Sequence, residues 1–185
     1  MFKKIILSFL ALFSLMAFVI PNTALAANIK LEKNLNSKQC FDSRPTILDI
    51  TNQSGFTSLA YAVEKSGLTD ALKGKRKLTV FAPTNEAFSL LANNLGYENA
   101  VQMVDDLQQN NPELLKNVLL YHITPRSRYA KSVARTPRIL MLNGQYTNVS
   151  VESGQVKIDG ANIIATDIKA SNGVVHVIDA VIMPN

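Results

Sequence analysis

Apolar positions recur at helical spacing through the first two thirds of the chain and at strand spacing through the last third. Thr46-Ile47-Leu48-Asp49 has the form of a capping box and opens a short helix that ends before Gly55. Phe56, Leu59, Ala60 and Val63 then fall at i, i+3, i+4 and i+7, with Gly67 as the stop signal. Leu68, Ala71 and Leu72 continue on a third short helix as far as Gly74. Leu78 to Ala82 is a strand ended by Pro83, after which Thr84 caps a helix that buries Ala87, Phe88, Leu91 and Leu95. Asn99 to Gln109 is amphipathic through Val101, Val104 and Leu107, and Asn111-Pro112 opens a largely apolar helix containing Leu114, Leu115, Val118, Leu119 and Tyr121.

After Pro125 the helical period stops. Asn143-Gly144, Ser153-Gly154, Asp159-Gly160 and Asn172-Gly173 mark turns between the runs Ile139 to Leu142, Tyr146 to Val151, Val156 to Ile158, Ile163 to Thr166 and Val174 to Met183. This predicts an antiparallel meander, and with the early strand an α+β domain. The last run, GVVHVIDAVIMP over Gly173 to Pro184, is too short to span a membrane and too β-branched for a comfortable helix. It reads as a strand covered on both faces. Alternation sets Val174, His176 and Ile178 against Val175, Val177 and Asp179, so His176 and Asp179 need hydrogen-bond partners in buried surroundings.

The N-terminus stands outside this pattern. A basic start through Lys4, the apolar run Ile5 to Ile20, the break at Pro21-Asn22 and the small-x-small triplet Ala24-Leu25-Ala26 form a secretory signal over residues 1–26. Residues 27–44, polar and without period, read as a flexible arm, and residues 45–185 as one folded domain. The expected placement is secreted, periplasmic or cell-surface, with no transmembrane segment after cleavage. The formal charge is +5, but two of the 19 basic side chains, Lys3 and Lys4, belong to the leader. The remaining excess over 14 acidic groups is small and implies no nucleic-acid partner. Cys40 is the one cysteine, which excludes an internal disulfide and a thiolate zinc site and leaves dimerisation through Cys40 open.

Candidate chemistry is sparse. His122 closes a helix beside Tyr121, and His176 lies mid-strand with Asp179 on the opposite face, so the latter two cannot grip one metal. No catalytic residue, metal site or cofactor is assigned, because there is no Gly-x-Ser-x-Gly elbow, no glycine-rich phosphate loop, and no histidine near Cys40 in sequence. Charge is more informative. From Lys116 to Val151 there is no Asp or Glu, while Lys116, Arg126, Arg128, Lys131, Arg135 and Arg138 are cationic. Such a stretch is either a solvated loop or a surface for an anionic glycan, a lipid headgroup or an acidic protein.

Three motifs occur in order. Thr79-Val80-Phe81-Ala82-Pro83-Thr84-Asn85-Glu86-Ala87-Phe88 resembles the first signature of fasciclin domains, Tyr121-His122 resembles their tyrosine-histidine motif, and Asn172-Gly173-Val174-Val175-His176-Val177-Ile178-Asp179-Ala180-Val181 resembles their second signature. The resemblance covers about Thr46 to Pro184. It implies a wedge or sandwich of antiparallel strands with helices packed around it, the two signatures forming neighbouring central strands. Thr79, Phe81, Pro83, Thr84, Asn85, Gly173, His176 and Asp179 are then structural. It further implies a non-enzymatic adhesion module that binds a cell-surface or envelope protein or a matrix partner, to which the basic stretch adds an anionic polysaccharide. Family receptor binding maps to Tyr121 and His122, flanked by Leu119, Leu120 and Ile123. A carrier holding a small apolar ligand between helices and sheet is the alternative, and a hydrolase using His122 or His176 a third reading.

Overall fold

A computed structural model describes residues 44–184. The expected signal, nearly all of the expected arm, and Cys40 lie outside the described residues. Helices come first: α1 (Ile47–Thr51), α2 (Thr57–Lys65), α3 (Thr69–Lys73), then strand β1 (Leu78–Pro83), then α4 (Asn85–Asn94), α5 (Ala100–Asn110) and α6 (Pro112–Tyr121). The capping box is present at α1, where the Asp49 amide donates to Thr46 Oγ1 and the Thr46 amide donates to the Asp49 carboxylate. Thr84, Asn99 and Asn111 cap α4, α5 and α6 through side-chain oxygens that accept otherwise unpaired first-turn amides. Strand β2 (Ile123–Pro125), the short helix α7 (Ala130–Val133) and strands β3 (Arg138–Leu140), β4 (Tyr146–Glu152), β5 (Gln155–Ile158), β6 (Ala161–Ala170) and β7 (Gly173–Ile178) follow.

The seven strands form one sheet in the order β2-β1-β7-β6-β5-β4-β3. Its two ends meet, because the Leu142 amide donates to the Ile123 carbonyl at 2.8 Å and Thr124 Oγ1 donates to the Leu140 carbonyl at 2.8 Å. The sheet is thus a near-barrel. The two signature strands are central neighbours, as the resemblance implies, with Leu78 opposite Gly173 and Phe81 opposite His176. Both are buried along their whole length. One face, through Leu78, Val80, Ala82 and Val175, packs on the helices. The other, through Phe81 and Ile178, packs on Tyr121, Ile139, Met141 and Ile158 inside the strands. Asn172 ties the helices down: its Oδ1 accepts from the Ile47 amide, and its Nδ2 donates to the Leu72 and Gly74 carbonyls.

The α+β reading holds, with four differences of detail. β1 and β7 run parallel, so the sheet is mixed rather than wholly antiparallel. β2 is too short to show a period, yet it supplies one end of the sheet. Leu95 and Val101, expected inside, are 54% and 48% exposed because the buried arcs of α4 and α5 run through Ala87, Phe88 and Ala92 and through Ala100, Met103 and Val104. Finally, β7 ends at Ile178, since the Asp179 carboxylate captures the Asn162 amide and side chain at 2.8 and 2.6 Å and turns the chain out of the sheet.

Candidate functional site

The basic stretch is held by the two signature strands. Thr79 Oγ1 donates to the Arg126 carbonyl at 2.9 Å and accepts from the Arg128 amide at 2.7 Å. Across the sheet His176 Nε2 meets the Arg128 carbonyl at 2.8 Å, and its Nδ1 accepts from the Asp167 amide at 3.3 Å, which fixes the neutral ring as the Nε2–H tautomer. Asp167 sits at φ 59° in an irregular part of β6, and its carboxylate accepts from the Ala130 amide at 2.8 Å, anchoring the start of α7. The Thr79 hydroxyl, the His176 ring and the Asp167 carboxylate therefore pin the backbone of residues 126–130, leaving its side chains to project.

Those side chains divide. Arg126 is exposed, and its backbone, at φ 70°, donates to the Lys77 carbonyl at 2.8 Å. This brings the Lys75-Arg76-Lys77 turn beside Pro125-Arg126-Ser127. Arg76 and Lys77 line, with Pro125, Arg126 and Ser127, a cleft of about 970 Å³ that has Leu78, Ala71 and Leu142 as apolar wall and Asp70 as its one acid. Arg76 and Lys77 were not singled out as site residues from the sequence, because only the pairing of β1 with β2 brings them to Arg126. Arg128 is half-buried, with its Nε enclosed. Lys131 and Arg135 are exposed on and after α7 but line no part of this cleft, and exposed Arg138 lies over the Tyr146 ring at 6.0 Å.

The tyrosine-histidine corner is interior. Tyr121, His122, Leu119 and Ile123 are each at most 3% exposed, and Leu120 is half-buried. The Tyr121 hydroxyl is bonded to the Asp159 carboxylate and lies 3.3 Å from the Tyr146 carbonyl. Its pKa is pushed up to about 12, first by burial and then by Asp159. His122 Nδ1 donates to the Val118 carbonyl at 2.7 Å and Nε2 accepts from the Ile182 amide at 3.2 Å, so the ring joins α6 to the C-terminal segment. Burial lowers its pKa to about 4, against the Val118 carbonyl, which favours the protonated form. Burial likewise lowers that of His176, opposed by the Arg128 carbonyl and Asp167. Both imidazoles are enclosed and have main-chain partners on both nitrogens, which leaves neither free to serve as a hydrolytic base. Among the described residues no group of three or more His, Cys, Asp or Glu could hold a metal, and no helix is long and apolar enough to cross a membrane.

A second concavity, about 280 Å³, lies among α2, α4, α5 and α6, lined by Leu59, Phe88, Leu91, Met103, Leu107 and Leu115 among others, with Val181 and Met183 on its C-terminal side. This concavity lies mainly among the helices and touches the sheet through Pro83.

The family model of the fasciclin domain matches residues 54–184. Protein sll1483 of Synechocystis is 35% identical over 170 residues, covering 91% of this chain and 90% of that protein. Transforming growth factor-beta-induced protein ig-h3 of Sus scrofa is 33% identical over 140 residues, which is 75% of this chain but 19% of the relative. Among solved structures, a domain pair from the insect cell adhesion molecule fasciclin I matches with a TM-score of 0.61 at 18% identity, covering 76% of this chain and 51% of that one.

Proposed function

Since the chain belongs to the fasciclin domain family, we propose that it is a non-enzymatic adhesion module, secreted, periplasmic or cell-surface, that recognises an anionic envelope or matrix partner through its basic cleft. The observation that carries this reading is the convergence of Arg76, Lys77 and Arg126 round one concavity with a clamped wall. A solvated loop needs no such clamp, whereas a recognition surface gains affinity when its backbone is fixed beforehand. The cations face one acid, Asp70, across an otherwise apolar and basic lining, so an anion meets an unbalanced positive field. Burial of Tyr121 and His122 argues for a folding role there, with recognition on the loop that follows.

Retention of the purified domain on heparin tests the reading. Wild type is expected to elute well above the salt needed for a protein of its small net charge, and Arg76→Glu/Arg126→Glu to elute near the void with an unchanged melt. Equal retention of wild type and variant would reject the cleft as the recognition surface.

A second reading is favoured by the apolar concavity among the helices, which is large enough for a small hydrophobic molecule. Native mass spectrometry of the purified protein checks it: a bound apolar mass lost in Leu91→Trp/Met103→Trp supports a carrier, and an unliganded wild type opposes it.

A further inference from the structure

Side chains alternate along β3 and the residues after it. Ile139 and Met141 are buried, whereas Leu140 and Leu142 are 40% and 38% exposed. Tyr146, paired with Leu140, is 56% exposed, and the Arg138 guanidinium lies over its ring, so Arg138, Leu140 and Tyr146 share the outer face. Leu142 carries that face into the basic cleft, where it lines the same space as Pro125, Arg76, Lys77 and Arg126. Its other side borders a depression that holds Lys116, with Glu113 as the acid there. Two leucines and a tyrosine thus form an apolar ridge with cations at both ends.

A hydrated polyanion has no use for exposed leucines, since contact with sugar or sulfate leaves their apolar surface in a polar setting. A bilayer interface accepts both components: leucine and tyrosine enter the headgroup and upper acyl region while arginine and lysine meet phosphates. We propose that this face docks peripherally on an anionic lipid surface, with Leu140, Leu142 and Tyr146 inserted and Arg76, Lys77, Arg126 and Arg138 on lipid phosphates. The proposal rests on the basic cleft being the recognition surface and narrows its anionic partner to a lipid headgroup array. The cations also set the choice of membrane, because each one at an anionic surface adds roughly a fivefold gain in partitioning that a zwitterionic surface does not give.

Residues 27–185, which contain the compact unit from Asp42 to Asn185, are to be sedimented with phosphatidylcholine vesicles with and without phosphatidylglycerol, beside the heparin assay. Wild type is expected on the phosphatidylglycerol vesicles alone, released by salt. Leu140→Ser/Leu142→Ser is expected to lose on the order of tenfold in vesicle partitioning with heparin retention intact, and Arg76→Glu/Arg126→Glu to lose both. Leu140, Leu142, Arg76 and Arg126 are all exposed, so melts of both variants are expected to match wild type. Vesicle binding that the leucine variant keeps in full, or that neutral vesicles match, overturns lipid docking. Wild type held by heparin but not by vesicles overturns it too and leaves the polyanion reading standing. Wild type held by neither overturns both.

Discussion

Thr79 is the sharpest test of the clamp. Its hydroxyl is fully buried and makes two hydrogen bonds to the basic loop, one to the Arg126 carbonyl and one from the Arg128 amide. Thr79→Val keeps the β-branched shape and removes both. Each bond is worth about 1 kcal/mol net, and an amide and a carbonyl are left without their partner at the loop base, so a loss of about 2 to 3 kcal/mol is expected. For a domain of this size that lowers Tm by roughly 6 to 10 °C. The second readout separates a clamp from mere packing. Amide exchange at Arg128 should speed up by more than the global loss of stability requires, and heparin retention should fall although no charge has changed. A variant melting within about 2 °C of wild type, with Arg128 exchange unaltered, would refute the reasoning.

Three further outcomes follow from single contacts. A Cβ at Gly173 would lie 2.0 Å from the Leu78 carbonyl oxygen and 2.7 Å from Ile47 Cδ1, so Gly173→Ala must part the central strands; a loss above about 3 kcal/mol in urea unfolding is expected, and a near-wild-type midpoint would contradict the close approach. Asp179→Ala frees the Asn162 amide and side chain and should lower Tm by roughly 5 °C in a calorimetric scan, whereas an unchanged melt would assign Asp179 to the surface. Both histidines have folded pKa values below the ordinary 6.5, so the unfolded chain binds more protons as pH falls through 6.5, and the stability present above that value is lost towards about 4 for His122. The expected slope is up to ~1.4 kcal/mol per pH unit per histidine. The window from pH 6.5 to 5 lies above the carboxylate range, so a flat stability there would oppose this assignment.

The sequence showed what repeats locally and missed what depends on pairing. Capping at Thr46 and Thr84, the helix stop at Gly67 and the turns before the late strands were legible, because each is decided within a few residues. Strand polarity leaves no mark on hydrophobic alternation, so the parallel run of β1 beside β7 was not. Nor was the cleft: Lys77 and Arg126 meet through a backbone bond between segments far apart in the chain. The exposure of Leu95 and Val101 has the same origin, since period alone fixes an arc but not its edges, and the edges are set by the neighbouring helices. Thr79 and His176 were recognisable as motif residues, while their hold on the Arg126–Arg128 backbone required the three-dimensional register.

The parallel pairing of β1 with β7 also governs when the chain can fold. Leu78 finds its partner in Gly173, near the far end of the chain, so the middle of the sheet is completed by its last strand. Closing so long a loop is entropically expensive and is rewarded only at the end, which makes for slow, high-contact-order folding. A growing chain stopped before Gly173 would hold β1 with one side unpaired, an apolar edge prone to association with other chains. The domain therefore acquires its stable state only once Gly173–Ile178 is available to pair with β1.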